Sequence, residues 1–502
     1  MSSSSSFGGR GGGGGRGGRG RHGGHAHGGH APSSTQPRLT PCRNYASTGR
    51  CHLGDRCGFS HVVRMLASVV VSDRIADSDG PLGAGGRRAH HGGGQHRGGG
   101  VVKSHHRATS VAVWEASDGN VKLFTGSHDG KWRLYDANNI HNNSENNIIN
   151  NNNNHNHRND NAAGTMRMEF EHRVGGPVDS VRVAARHLLF VAFESSPIEA
   201  PDARAGMVHG WNLDRPGDPP LELWMHPVTS RYAGSGRVRC VCVRERDGRV
   251  WSGGSDGVLR EWTYAPGLVG GGGFAYVRGM GGHLGAVTSI ALAAGETTIW
   301  SGGMDGTVRL WNAETGEPAH LIPAVGRDVV GGVGGVGGGG QPLTPSSSAA
   351  AAAPIVPSGA GHAGPVTGLL PFELPGGNAE DGSSSFVFTS SLDETVRVWN
   401  ATNGECVASE RHGQGVTAIA LSSDLKGNPL LLCGLSYGDI MIRGTVSNPP
   451  LCLLLKISHN YLGVGHEVGP VNDIQPGPGN TFYAVADDGK LTAWQITGDF
   501  GL

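Results

Sequence analysis

The residues best suited to bind a metal ion lie close together near the N-terminus of this chain. Cys42, Cys51, Cys57 and His61 are separated by eight, five and three residues. Three thiolates and one imidazole complete the tetrahedral coordination of a structural zinc site and leave no position open for water or substrate. Residues 37–61 are too few to build a hydrophobic core, so zinc binding, worth about 10–16 kcal/mol in finger peptides, is expected to fold them. The spacing predicts one structural Zn²⁺.

The ligand spacing and the residues between the ligands resemble the CCCH zinc finger family, which includes many RNA-binding proteins. Four further positions fit the pattern of that family: Tyr45, Gly49, Gly54 and Phe59. The resemblance implies that the rings of Tyr45 and Phe59 stack on unpaired bases of single-stranded RNA, an interaction worth about 1–3 kcal/mol per base. A simpler interpretation stays open beside it, in which the two rings only cover the zinc site.

Basic residues at the N-terminal end favour contact with a polyanion. Residues 1–107 hold 15 Lys and Arg against 4 Asp and Glu, although the whole chain has a formal net charge of −1. Within the finger, phosphate contacts with a salt-dependent affinity are expected from Arg43, Arg50, Arg56 and Arg64. The glycine-rich arm at 1–36 adds arginines that could follow a phosphate backbone. The alternative is that these arginines merely keep a disordered tail solvated.

A second pattern begins near residue 101 and repeats toward the C-terminus. Its clearest copy runs from Gly282-His283 through alternating apolar residues to Asp305-Gly306 and ends at Trp311. Alternating runs joined by an Asp-Gly turn predict short antiparallel strands. The six-residue spacing from Asp to Trp recurs, intact or degenerate, in seven copies. The copies end at Tyr135, Trp211, Trp262, Trp311, Trp399, Arg443 and Trp494.

This repeat resembles the WD40 repeat, whose units of about 40 residues each form one four-stranded blade. The resemblance implies an all-β fold: a seven-bladed WD40 β-propeller preceded by a small CCCH zinc finger and disordered Gly/Arg-rich segments. Val101-Val102-Lys103 is predicted to supply the strand that closes the last blade. The predicted organisation is a disordered arm at 1–36, the finger at 37–64, a Gly-rich linker at 65–99, and the propeller at 100–497 with disordered insertions at about 140–163 and 323–361.

Two sets of residues in the repeat look like catalytic triads. The first is His283, Ser301 and Asp305, followed by Trp311. The resemblance to WD40 blades implies that these positions form a buried hydrogen-bond chain. The arrangement occurs a second time, which a catalytic triad has no reason to do, so we expect structural networks, no enzyme and no small-molecule substrate. The second set is His362, Thr389, Asp393 and Trp399.

Other features of the sequence indicate the cellular compartment in which the protein is expected. Residues 1–15 lack the apolar core of a secretory signal. Leu451–Leu455 is too short an apolar run to span a bilayer. The cysteines outside the finger are scattered and form no disulfide framework, which fits a reducing environment. We therefore expect an intracellular protein without membrane contact, with the nucleus favoured over the cytoplasm. Those cysteines are Cys240, Cys242, Cys406, Cys433 and Cys452.

A finger followed by a propeller resembles the plant-type CCCH zinc finger plus WD40 (zfwd) proteins. The leading hypothesis is an RNA-associated adaptor, in which the finger and the arm contact single-stranded RNA and the propeller holds protein partners. The alternative is a purely protein-binding scaffold, such as a ubiquitin-ligase substrate receptor. Such receptors often carry Arg three residues after the Trp of a blade, whereas this chain has Ala265, Glu314 and Thr402 there.

Overall fold

The computed structural model describes five stretches of the chain. These are 38–74, 105–140, 166–325, 361–458 and 469–502, with gaps at 117, 185–186, 197–204, 216, 226–232, 235, 269–271 and 375–383. The predicted arm at 1–36, the predicted strand at 101–103 and most of both predicted insertions lie outside these residues. Residues 37–502 form one compact unit.

Nearly all of the described secondary structure is β. One short helix, α1 (Arg43–Thr48), and one 3₁₀ turn, Gly54–Arg56, lie in the finger. No helix in the described stretches is long and apolar enough to cross a membrane. The strands, numbered in chain order, alternate buried and exposed residues where one face of a sheet is covered.

Four of the sheets contain four consecutive strands each, joined antiparallel. The first is β2 (Ala108–Glu115), β3 (Val121–Ser127), β4 (Lys131–Asp136) and β5 (Arg167–Arg173). The next such sheet is β14 (Val287–Ala293), β15 (Thr298–Gly303), β16 (Val308–Asn312) and β17 (Pro318–Ile322). It is followed by β18 (Val366–Glu373), β19 (Ser385–Ser391), β20 (Thr395–Asn400) and β21 (Cys406–Arg411). The last is β22 (Val416–Ser423), β23 (Pro429–Leu435), β24 (Ile440–Gly444) and β25 (Leu453–Ile457).

An eight-stranded sheet lies between the first two of these in the chain. It contains β6 (Val178–Ala184), β7 (Leu188–Ser195), β8 (Ala205–Asn212), β9 (Leu221–Trp224), β10 (Val238–Val243), β11 (Val250–Gly254), β12 (Leu259–Ala265) and β13 (Gly273–Met280). Its spatial order is β10-β11-β12-β13-β9-β8-β7-β6. The β13–β9 pair is parallel, and the other pairs in this sheet are antiparallel. The sheet is therefore two antiparallel four-stranded halves joined at their last strands.

The sixth sheet joins the two ends of the described chain. It consists of β26 (Val471–Gly477), β27 (Thr481–Ala486), β28 (Lys490–Ile496) and β1 (Val63–Val70), with β1 at its edge. The first strand of each four-stranded group packs against the first strand of the next, in the order β2, β6, β10, β14, β18, β22, β26 and back to β2. The fold is thus propeller-like, with hydrophobic clusters between successive sheets.

The position of β1 corrects two predictions. The outer edge of β28 is occupied by residues 63–70, so the assignment of Val101-Val102-Lys103 to that edge is wrong. The predicted linker at 65–99 is also wrong at its start, because residues 65–70 belong to β1. The apolar run that begins at Val62 directly after the last predicted zinc ligand supplies this strand.

The polar networks of the two best-preserved repeats are buried and hydrogen-bonded. His283 lies between Ser301 Oγ, 2.9 Å from Nε2, and Asp305 Oδ1, 3.3 Å from Nδ1. Trp311 Nε1 donates to the same Ser301 Oγ at 2.9 Å. Burial opposes ionisation of Asp305, but hydrogen bonds from His283, Thr307 and a backbone N–H outweigh it and hold the pKa of that carboxyl well below its usual range.

The second network repeats the same arrangement. His362 contacts Asp393 Oδ2 at 3.0 Å through Nδ1 and Thr389 Oγ1 at 2.6 Å through Nε2. Trp399 Nε1 donates to Thr389 Oγ1 at 2.8 Å. Each network ties the loop before a first strand to the turn between the second and third strands, and so stabilises the geometry of its sheet.

Among the described residues, the degenerate repeat around Arg443 has no such network. The buried side chain of His412 has no hydrogen-bond partner for either ring nitrogen among the described residues. Burial, together with the positive charge of Arg443, lowers the pKa of His412 to about 3. This histidine is therefore neutral in the folded protein at any physiological pH.

We predict that His412 makes folding acid-sensitive. Its folded pKa lies below the usual value of about 6.5, so the unfolded chain binds the extra proton and the free energy of unfolding decreases as the pH falls below 6.5. Between pH 7 and pH 5.5 the loss from this residue is about 1.3 kcal/mol. Urea unfolding at both pH values should show a smaller decrease for His412→Leu than for the wild type. The exposed His187 provides the control: His187→Gln should lose as much as the wild type, and an equal loss in His412→Leu would refute the prediction.

Candidate metal centre

The first half of the metal centre is formed by a helix that reverses the chain between two cysteines. Cys42 immediately precedes α1, and the helix ends at Gly49, whose φ of 72° is left-handed. Glycine adopts this conformation without steric cost, and its N–H closes the helix by donating to Tyr45 O at 2.8 Å. The chain then turns back, which brings Cys51 toward Cys42.

The second half depends on a tight turn and a short backbone pairing. The 3₁₀ turn Gly54–Arg56 fills most of the five-residue spacing between Cys51 and Cys57. Cys42 N–H donates to Ser60 O at 2.7 Å, and Ser60 N–H donates to Thr40 O at 2.8 Å. These two hydrogen bonds hold the segment that contains Cys57 beside the segment that contains Cys42.

The four predicted ligands converge. The Sγ atoms of Cys42, Cys51 and Cys57 and a ring nitrogen of His61 all lie within 4.8 Å of one another. Nε2 of His61 is buried without a hydrogen-bond partner among the described residues, as expected for a nitrogen that binds a metal. The cluster fits one zinc ion in a closed structural site.

The local electrostatics also fit a cation. A hydrogen bond from the backbone N–H of Leu53 lowers the pKa of the Cys51 thiol, whereas burial raises the pKa of Cys57. A bound Zn²⁺ would stabilise all three thiolates and offset the cost of burying them.

Comparison with known proteins agrees with this geometry. The family described as "Zinc finger C-x8-C-x5-C-x3-H type (and similar)" matches residues 37–63. The family described as "WD domain, G-beta repeat" matches residues 275–312. The chain combines a CCCH zinc finger with a WD40 repeat. The matched WD40 segment contains the first of the two hydrogen-bonded networks.

One curated relative supports the WD40 assignment. A segment of 138 residues is 30% identical to an uncharacterized WD repeat-containing protein of Schizosaccharomyces pombe. The match covers 27% of this chain and 34% of the relative. The chain therefore spans about a third of the length of the curated relative that it matches.

The zinc finger is attached directly to the strand that completes the last sheet. Only Val62 separates His61 from β1. Thr497, directly after β28, donates its N–H to Val62 O at 2.9 Å, and its Oγ1 donates to His61 O at 3.3 Å. The backbone of the last zinc ligand is thus held by the end of the WD40 fold.

Tyr45 adds a side-chain connection at the same place. Its ring stacks on the His61 ring with centroids 4.8 Å apart. Its hydroxyl donates to Thr497 Oγ1 at 3.0 Å. The structure therefore gives Tyr45 a role in joining the finger to β28, and its predicted stacking on RNA stays a prediction.

A second attachment lies on the neighbouring sheet. Lys456 in β25 donates its N–H to Leu39 O at 2.7 Å. Ser458, just after β25, lines a groove of about 520 Å³ together with residues of the finger. The finger residues that line this groove are Cys42, Arg43, Asn44, Cys51, His52, Leu53, Cys57 and Phe59.

The other residues predicted to bind RNA lie on the outer surface of the finger. Phe59 is 48% exposed and, with Arg43, lines the groove. Arg50 and Arg56 are exposed on the finger. Arg64, by contrast, lies in β1 with its guanidinium beside Gly49. Sequence reasoning did not find Thr497, since no motif marks it and only the fold places it beside the finger.

We predict that losing one zinc ligand destabilises the WD40 fold as well as the finger. In Cys57→Ser the finger cannot hold β1 in place, so the last sheet loses its fourth strand. The melting temperature of the main unfolding transition, followed by near-UV circular dichroism, should fall by about 3 °C or more. Arg50→Ala, an exposed change in the same finger, should leave it unchanged. An unchanged melting temperature in Cys57→Ser would show that the finger and the propeller-like body fold independently.

Proposed function

We propose that this protein is an RNA-associated adaptor: its zinc finger contacts single-stranded RNA, and its WD40 body holds protein partners. The observation that carries the proposal is the groove beside the metal centre. It is bordered by the half-exposed ring of Phe59, by the exposed side chain of Leu53 and by Arg43. An aromatic ring beside a guanidinium is what unpaired bases and their phosphates require.

The placement of the two aromatic residues supports different roles for them in RNA binding. Tyr45 has one ring face on His61 and its hydroxyl on Thr497. Phe59 is the more exposed of the two rings and adjoins the groove. We therefore propose Phe59 as the principal stacking residue, with Arg43, Arg50 and Arg56 supplying phosphate contacts and Tyr45 contributing mainly by orienting the finger.

We further propose that the body is a seven-bladed propeller. The division of the eight-stranded sheet at its parallel β13–β9 pair supports this, as does the circular order of the first strands. Propellers of this kind offer surfaces to other proteins rather than a reaction site, so we propose a non-enzymatic role. An intracellular location, in the nucleus ahead of the cytoplasm, belongs to the same proposal.

Fluorescence anisotropy with the full-length, zinc-loaded protein and labelled single-stranded RNAs tests the RNA half of this proposal. Phe59→Ala should raise the dissociation constant about tenfold, because base stacking on an aromatic ring is worth about 1–3 kcal/mol. Arg43→Gln should weaken binding and reduce its salt dependence. Tyr264→Ala removes a comparably exposed ring from β12 and should change nothing.

Three results would count against the RNA hypothesis. The first is an absence of binding to any RNA in the panel. The second is equal affinity of Phe59→Ala and the wild type, which would remove the stacking role from the finger. The third is an equal loss of affinity in Tyr264→Ala, which would show that RNA contacts the body of the protein instead.

A further inference from the structure

Seven equivalent residues surround one end of the channel between the first strands. Each is the second residue of its strand, and all of them line a cavity of about 400 Å³ at the channel mouth. The channel mouth is defined here by these residues, which are Thr109, Asp179, Arg239, Thr288, Thr367, Thr417 and Asn472.

Five of the seven join their strand to the next one around the ring. Each donates a side-chain hydrogen bond to the carbonyl of the first residue of the following strand. The bonds are Thr109 to Val178 at 2.9 Å, Thr288 to Val366 at 2.6 Å, Thr367 to Val416 at 2.7 Å, Thr417 to Val471 at 2.6 Å and Asn472 to Ala108 at 2.6 Å. The sixth, Asp179, accepts at 2.9 Å from Arg237, which immediately precedes β10.

Arg239 is the exception in this ring. Its Nε is buried without a hydrogen-bond partner among the described residues, while its positive charge favours the ionised form of Asp179, which lines the same cavity. The position next to it, Cys240, makes the contact with the following strand, with Sγ 3.7 Å from Val287 O. Arg239 is therefore a cation at the channel mouth whose Nε makes no hydrogen bond to another described residue. An unpaired buried donor of this kind costs free energy that an anionic ligand would recover.

The surroundings of Arg239 are rich in guanidinium groups. Arg107 also lines the channel mouth, and its Nε donates to His128 Nε2 at 3.0 Å. The Nε of Arg237 already donates a hydrogen bond to Asp179 Oδ2. The charged residues that line the cavity itself are thus Arg107, Arg239 and the already paired Asp179.

Exposed apolar residues lie in three turns at the same end of the sheets as the channel mouth, and one of them lines the cavity. Leu392 lines the cavity, and Met304 and Tyr437 occupy equivalent turns of the two adjoining sheets. These turns follow β15, β19 and β23, whose ends pair with the starts of β14, β18 and β22. All three turns therefore lie at the end of the sheets where the channel mouth opens.

We propose that the channel mouth binds a linear acidic peptide. A carboxylate of the peptide pairs with Arg239, with Arg107 nearby, and an adjacent apolar side chain packs on Leu392, the exposed apolar residue that lines the cavity. This inference rests on the part of the proposed function that gives the WD40 body protein partners. A long polyanion such as RNA fits less well, since residues 108–502 hold 26 Lys and Arg against 38 Asp and Glu.

The test uses the full-length protein and a fluorescein-labelled peptide with the sequence Gly-Ser-Gly-Glu-Leu-Asp-Leu-Gly-Ser-Gly. Two comparison peptides replace the acidic residues by Gln and Asn, or both leucines by Ser. Saturable binding of the first peptide is expected, with at least about tenfold weaker binding by Arg239→Gln and severalfold weaker binding by Leu392→Ser. Arg239→Gln should melt no lower than the wild type, because the Nε that it removes is buried without a hydrogen-bond partner among the described residues.

The matched control is Arg246→Gln, an arginine that lies between β10 and β11 at the opposite end of these strands from the channel mouth. It should bind the peptide as the wild type does. Failure to bind the acidic peptide, or an affinity that Arg239→Gln does not change, would overturn the inference. Equal binding of the Gln/Asn peptide would do the same.

A parallel titration with labelled single-stranded RNA separates this inference from the proposed function. RNA binding that persists in Arg239→Gln, together with lost peptide binding, supports a peptide site distinct from the finger. RNA binding that requires Arg239 would assign the channel mouth to RNA and overturn the peptide site. Wild-type protein that binds RNA but not the acidic peptide would refute the peptide site and leave the role of the finger intact.

Discussion

The pairing of β1 with β28 is the interaction on which the rest of the structure depends. It joins residues 63–70 to residues 490–496 through seven residue pairs with one irregularity. Val63 belongs to the hydrophobic cluster that contains Trp494 and Phe482, and Leu66 belongs to the next cluster, with Val111 and Leu123. Without β1, both clusters would lose the apolar side chains that this strand contributes, and β28 would become an exposed edge strand.

The metal centre lies at one end of this strand pair. The chain passes from the last zinc ligand to β1 through a single residue, and Thr497 holds both sides of that junction. Because of this connection, we expect the ordering of the finger by zinc to order the start of β1 as well. The same attachment orients the groove beside Phe59 relative to β25, so metal binding, closure of the sheet and the shape of the proposed RNA surface share one set of contacts.

The sequence predicted those features that depend on residues close together in the chain. The four ligands followed from residue type and spacing, and the Asp-Gly turns and Trp positions located most strands. The closing strand was missed because residues 62–71 carry no repeat landmark, and their partner lies more than 400 residues away in the chain. For the same reason the hydroxyl contact of Tyr45 could not be predicted. The difference between Arg239 and the six equivalent residues, whose side chains make hydrogen bonds to or just before the next strand, becomes visible only when the seven positions are compared in space.

Hydrogen–deuterium exchange of the full-length protein before and after zinc chelation tests the coupling most directly. If zinc binding fixes β1, chelation should reduce amide protection in β1 and β28, where the pairing is lost. Protection in β15 and β16, in the matched WD40 segment, should persist. Loss of protection confined to residues 38–61, with β28 unchanged, would contradict the account and show that the sheet closes without the finger.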